Sequence, residues 1–126
     1  MKPTFFDMTV HDLDKAREFF EGVFGWKFTK VEAADNYYRI QAGPAHEPGI
    51  NGGIGVVGQA RISEGRPMTQ ISVPVSDLDG HIEKVKERGG YVVEPKMAIA
   101  GVGWYATCAE PGGLVFGLLQ ADKNAG

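Results

Sequence analysis

Val10-His11-Asp12-Leu13-Asp14 recurs 65 residues later as Val75-Ser76-Asp77-Leu78-Asp79. In each copy an apolar-faced strand runs into an aspartate suited to cap a helix. Phe6, Met8 and Val10 alternate with Phe5, Asp7 and Thr9, and Ile71, Val73 and Val75 alternate with Gln70 and Ser72. Downstream, Leu13, Ala16, Phe20 and Val23 make one helical stripe, and Leu78, Ile82 and Val85 make a second. Gly25 supplies the first stop signal and Gly89-Gly90 the second. At the same offset Glu18 matches Glu83, Gly25 matches Gly90 and Gly52 matches Gly117. The pattern predicts an internal duplication. The expected fold class is α+β, two βαβββ repeats in one domain over residues 1–126, with half-repeats at about 4–58 and 68–120.

The remaining strands are read from alternation and turn residues. Trp26 to Val31, Tyr37 to Gln41 and a glycine-rich Ile50 to Val57 follow the first helix, with a turn at Asp35-Asn36 and a proline-bearing loop from Gly43 to Gly49. Tyr91 to Glu94, Gly103 to Cys108 and Leu114 to Leu119 follow the second, with a tight turn at Glu110-Pro111-Gly112-Gly113. The tail from Ala121 to Gly126 is expected to fray.

Composition narrows the function. The chain has 126 residues, 43% of them hydrophobic, enough for a core without disulfides or metals. Its 18 glycines favour many tight turns. With 13 Lys+Arg against 16 Asp+Glu, a net charge of −3 and no basic run, no nucleic-acid partner is expected. No stretch approaches the roughly 18 apolar residues of a membrane span, and Asp7 interrupts any signal-peptide core. The lone Cys108 cannot form an internal disulfide. The expected setting is cytoplasmic.

Each helix can cover only one face of its sheet, and the apolar faces suit it. The opposite faces carry Asp7 and Thr9 in one half and Gln70 and Ser72 in the other. Joined with those faces inward, the halves would enclose a ligand cleft, closed either within one chain or across a dimer.

Val-x-Asp-Leu-Asp before each helix, Phe24-Gly25-Trp26-Lys27-Phe28 after the first, Gly89-Gly90, and Glu110-Pro111-Gly112-Gly113-Leu114-Val115-Phe116-Gly117-Leu118 resemble the vicinal oxygen chelate (VOC) superfamily, over about residues 4 to 120. That superfamily includes glyoxalase I, extradiol dioxygenases, fosfomycin-resistance proteins and bleomycin-binding proteins. Asn51-Gly52-Gly53-Ile54 and Gly101-Val102-Gly103-Trp104-Tyr105-Ala106 further resemble a branch labelled only as glyoxalase-like. The resemblance implies a homodimer. It also implies where a metal would sit, because metal-using members take one ligand from each of four strands. The matching positions here are Phe5, Gly52, Gln70 and Gly117. Phenylalanine and glycine side chains donate nothing to a cation, and one glutamine falls short of a metal site. No metal and no cofactor are expected, which argues against glyoxalase I chemistry.

Other features read as structural. His11, His46 and His81 lack ligand spacing and are expected at the surface. Gly53-Ile54-Gly55-Val56-Val57-Gly58 matches a dinucleotide fingerprint, but Gln59 to Gly65 leaves no room for the long helix such a site needs. Cys108 reads as a packed core thiol and Arg39 as a solvated strand charge. Trp104, Tyr105, Tyr37 and Tyr38 offer rings that could stack a planar ligand or pack a core. The candidate ligand cleft comprises Phe5, Asp7, Asn51, Gly52, Gln70, Ser72, Trp104 and Gly117. The expected function is metal-independent binding of a small organic molecule. The alternatives are a VOC-fold isomerase, lyase or hydroxylase-like enzyme using Asp7 or an unrecognised metal site, and a purely structural dimer module.

Overall fold

The computed structural model describes residues 1–32, 34, 36–56 and 66–126. The chain divides into two compact units, Phe5–Thr69, and Gln70–Gly126 with Met1–Thr4. The first contains β1 (Phe5–Val10), α1 (Leu13–Phe24), β2 (Lys27–Lys30), β3 (Tyr37–Gln41) and β4 (Asn51–Val56). Its strands lie in the order β2-β3-β4-β1, with β1 parallel to β4 and the other pairs antiparallel. The second contains β5 (Met68–Pro74), α2 (Leu78–Glu87), β6 (Tyr91–Ile99), β7 (Gly103–Ala109) and β8 (Val115–Ala121). Its order, β5-β8-β7-β6, repeats the first, with β5 parallel to β8. The fold class is α+β, and each unit is a βαβββ module.

The capping signals act as their chemistry dictates. The Asp12 carboxylate accepts from the Lys15 backbone N–H at 3.0 Å, and Asp77 accepts from that of Gly80 at 3.1 Å. Gly25 leaves α1 at φ 71°, where a side chain would be strained, and its N–H donates to the Glu21 carbonyl. The helices cover the apolar faces. Leu13, Ile40 and Ile54 are buried beneath Phe6, Met8, Val10, Phe20 and Trp26 in the first unit. Val75, Leu78, Ala106, Cys108 and Leu118 form the second core, with Val73, Ile82, Val85 and Phe116 against it. Ile71 does not join them and is 43% exposed.

Two expectations are corrected. The strand from Tyr91 does not stop before Pro95 but runs to Ile99, with register shifts between Val92 and Glu94 and between Glu94 and Met97. It lies at the end of its unit's strand order, where a missing N–H is tolerated, and the irregularity absorbs the proline. The tail does not fray. Asp122 N–H donates to the Val102 carbonyl, Gly101 N–H donates to the Ala125 carbonyl, and Ala125 is only 5% exposed. Asp35, Val57, Gly58 and the segment from Gln59 to Gly65, which figure in the sequence expectations, lie outside the described residues. Among the described residues no helix is long and apolar enough to cross a membrane.

Candidate functional site

In the first unit, strand alternation puts Phe5, Asp7 and Thr9 on the face away from α1. Asp7 lies beside Gly53 on β4, and Gly53 lies beside Arg39 on β3. Tyr37 pairs with Gly55, and its ring leans over Gly53: a Cβ at position 53 would collide with the tyrosine hydroxyl. That hydroxyl donates to Asp7 Oδ1 at 3.0 Å. Burial pushes the Asp7 carboxyl up from its ordinary 3.8 to about 6, against the opposing pull of the Tyr37 hydroxyl and the Met8 backbone N–H. Thr9 is buried, and its Oγ1 has no hydrogen-bond partner among the described residues.

The second unit repeats the device with neutral groups. Gln70 and Ser72 on β5 are 5% and 3% exposed. Ser72 lies beside Gly117 on β8, which lies beside Thr107 on β7. Tyr105 reaches over Gly117, where a Cβ would strike its hydroxyl. The hydroxyl is 2.7 Å from Ser72 Oγ and accepts from Gln70 Nε2 at 3.2 Å. Gln70 Oε1 is buried without a partner among the described residues. Native proteins satisfy nearly all buried polar atoms, so an unpaired one stands out.

The structure brings Phe5 and Asp7 onto one polar face, and Gln70, Ser72 and Gly117 onto the other. Two expected positions belong elsewhere. Gly52 lies opposite Phe6 on the helix side, its space filled by the Phe6 carbonyl and ring, and Gly53 takes its place on the Asp7 face. Trp104 also lies on the helix side, packed against the second core, with its indole N–H donating to Asp122 Oδ2 at 3.0 Å. Tyr105 takes the polar face instead. Asn51 starts β4 on the Asp7 face but is exposed, and its amide oxygen accepts from Ala42 N–H at 2.9 Å. Tyr37 and Tyr105 are among the four rings that the sequence offers, but the expected cleft includes only Trp104 of them. The signal for them is a tyrosine on the third strand of each repeat with a glycine on the fourth.

The residues at the superfamily's metal positions do not fit a cation. Phe5 is hydrocarbon, and the spaces over Gly53 and Gly117 hold tyrosine hydroxyls. Among the described residues no group of three or more His, Cys, Asp and Glu side chains could hold a metal. His11 and His46 are exposed, and His81 Nδ1 lies 2.9 Å from the Asp77 carbonyl. Cys108 is fully buried, and burial pushes its thiol up, away from nucleophile chemistry.

A family model described as "Bleomycin resistance protein-like N-terminal" matches residues 2–40. The chain is 26% identical over 129 residues to "Putative glyoxylase CFP32" of Mycobacterium tuberculosis, across 98% of this chain and 47% of that protein. It spans about half the length of the curated relatives it matches. Among solved structures, the Mn(II)-bound glyoxalase of Novosphingobium aromaticivorans matches with a TM-score of 0.68 at 18% identity, over 99% of this chain and 40% of that one. The methylmalonyl-CoA epimerase of Mycobacterium tuberculosis matches with a TM-score of 0.66 at 17% identity, over 95% of this chain and 87% of that one. By fold and by these matches, the chain is similar to members of the glyoxalase/bleomycin resistance/dioxygenase (vicinal oxygen chelate) superfamily.

Proposed function

We propose that this chain binds a small organic molecule on the polar faces of its modules, without a metal at the superfamily's ligand positions. The observation that carries the reading is the pair of tyrosine hydroxyls over Gly53 and Gly117. They replace cation donors with neutral hydrogen-bonding groups beside Asp7 and Ser72. Gln70 Oε1 and Thr9 Oγ1, unpartnered among the described residues, supply atoms for a ligand to satisfy. A homodimer and a cytoplasmic setting go with this reading. The exposed Phe19, Val23 and Phe24 on α1 give a second copy an apolar surface, which light scattering checks.

The test is a thermal-shift screen of chelator-treated protein against aromatic and hydrophobic metabolites, with metal analysis of protein purified without chelator. A ligand that raises the melting temperature of metal-free protein supports the reading. Near-stoichiometric Mn, Zn, Ni or Fe overturns its metal-free form, and no shift across the library favours a structural module.

A second reading, an enzyme with Asp7 as general base, is favoured by one observation. A carboxyl pushed up to about 6 is suited to exchange protons near neutral pH. It predicts a turnover that Asp7→Asn abolishes while the protein stays folded.

A further inference from the structure

The second unit carries an apolar groove on its helix side, the face opposite Tyr105, Ser72 and Gln70. It is an open groove of about 410 Å³ between α2 and the strands β5 and β8, within the range of roughly 300–1,000 Å³ usual for small-ligand sites. Its origin lies in the repeat. In the first unit Phe20 stacks on Trp26 at 5.2 Å between ring centroids, and Phe6 packs on the same indole at 5.6 Å. The positions 65 residues on are Val85, Tyr91 and Ile71. Tyr91 and Ile71 are 50% and 43% exposed, and Val85 is too short to replace a ring. Three packed rings in one repeat are thus replaced in the other by one short side chain and two half-exposed ones.

The floor is hydrocarbon, formed by Val73, Val75, Phe116 and Leu118. The rim along α2 is cationic. His81, Lys84 and Arg88 also line the groove and fall on one helical face across about two turns, roughly 10 Å. Among the described residues neither Lys84 nor Arg88 forms an ion pair. Like charges at i and i+4 repel, and an anion between them would remove that cost. Glu110 lines the groove too, but the backbone N–H groups of Leu114 and Gly112 engage its carboxylate and hold it below the usual range. It caps a turn and, among the described residues, forms no ion pair with either cation.

We propose that this groove binds a chain-like amphipathic carboxylate of the medium-chain fatty-acid class, with its alkyl chain on the Val73–Leu118 floor and its carboxylate between Lys84 and Arg88. The site is independent of the polar-face reading, so either can fail alone.

Calorimetric titration of the full chain with decanoate, below its micelle concentration, tests this, with decanol as the uncharged control. Decanoate is expected to bind and decanol to bind about tenfold more weakly, the scale of two exposed charge contacts. Lys84→Glu with Arg88→Glu should erase the preference for decanoate. Val85→Phe, which imitates Phe20 of the first repeat, should fill the groove and abolish binding of both. Equal affinity for decanoate and decanol, binding that survives Val85→Phe in folded protein, or no heat with either ligand would overturn the proposal. So would light scattering that shows a wild-type dimer made monomeric by Val85→Phe, because a second copy would then occupy the groove.

Discussion

The Tyr37 hydroxyl donates to Asp7 Oδ1 across the bare backbone of Gly53. The bond offsets only part of what burial does to that carboxyl, whose pKa still reaches about 6. An acid with a raised folded pKa holds its proton longer in the folded chain than in the unfolded one. Its contribution is therefore most favourable below about pH 4 and is lost as pH rises toward 6, the window from 3.8 to about 6. Above it, keeping Asp7 charged costs the fold about 2–3 kcal/mol. Asp7→Asn keeps an acceptor for Tyr37 and removes the charge. The variant is expected to be more stable than the wild type above pH 6, by up to about 2 kcal/mol, and level with it below pH 4. Urea midpoints across pH check this, and equal midpoints at pH 7.5 would contradict it.

The glycines on the fourth strands are there for the tyrosines. A methyl at position 53 or 117 meets a phenol with its hydroxyl already engaged. Gly53→Ala and Gly117→Ala are each expected to cost about 1–3 kcal/mol by overpacking. In Tyr37→Ala or Tyr105→Ala backgrounds the same methyls should cost little, which leaves a coupling of about 1 kcal/mol or more in double-mutant cycles. Additive costs would mean that the clash lies with backbone instead.

Gln70 separates a binding role from a structural one. Its Nε2 has Tyr105, but its Oε1 is buried without a partner among the described residues. Gln70→Met keeps the shape, removes the unsatisfied oxygen and gives up one weak bond. Stability is expected to change by less than about 1 kcal/mol, whereas the affinity of any polar-face ligand should fall. Tyr105→Phe should behave in the opposite way. It strips the partner from both Gln70 Nε2 and Ser72 Oγ and should cost about 2–3 kcal/mol.

Local chemistry written into short stretches could be read from the sequence. Asp12, Asp77 and Gly25 mark their helix ends because capping depends on residues within one turn. The repeat placed Asp7 and Ser72 on equivalent strands. What could not be read is which neighbour in an aromatic or glycine pair faces which way. Trp104 and Tyr105 differ by one residue, and a one-residue slip turns every side chain to the other face. That choice is set by Thr107 lying beside Gly117, a pairing between strands. Gly52 and Gly53 pose the same problem, because an offset measured at the helices was carried across loops of unequal length. The groove beside Val85 was equally hidden. It comes from side chains that do not turn inward, which no alternation pattern records.

The tail eluded sequence reading because its anchors are distant in the chain, and it yields a prediction of its own. Asp122 ties Trp104 Nε1 to the end of the chain, while its backbone N–H holds the Val102 carbonyl. Backbone donation from Asn124, and then the indole N–H, hold the Asp122 carboxyl below its usual range. A depressed folded pKa gives stabilisation that is present above the ordinary aspartate range and lost as pH falls through the lowered value. The Trp104 indole proton and the Gly101 amide should therefore stay protected from hydrogen exchange at neutral pH and lose protection in acid. Asp122→Ala should speed both by about tenfold or more at pH 7, as expected for local opening at a chain end, and leave core amides such as that of Ala106 unchanged. Equal exchange in variant and wild type would mean that packing of Ala125, rather than the Asp122 carboxylate, holds the tail.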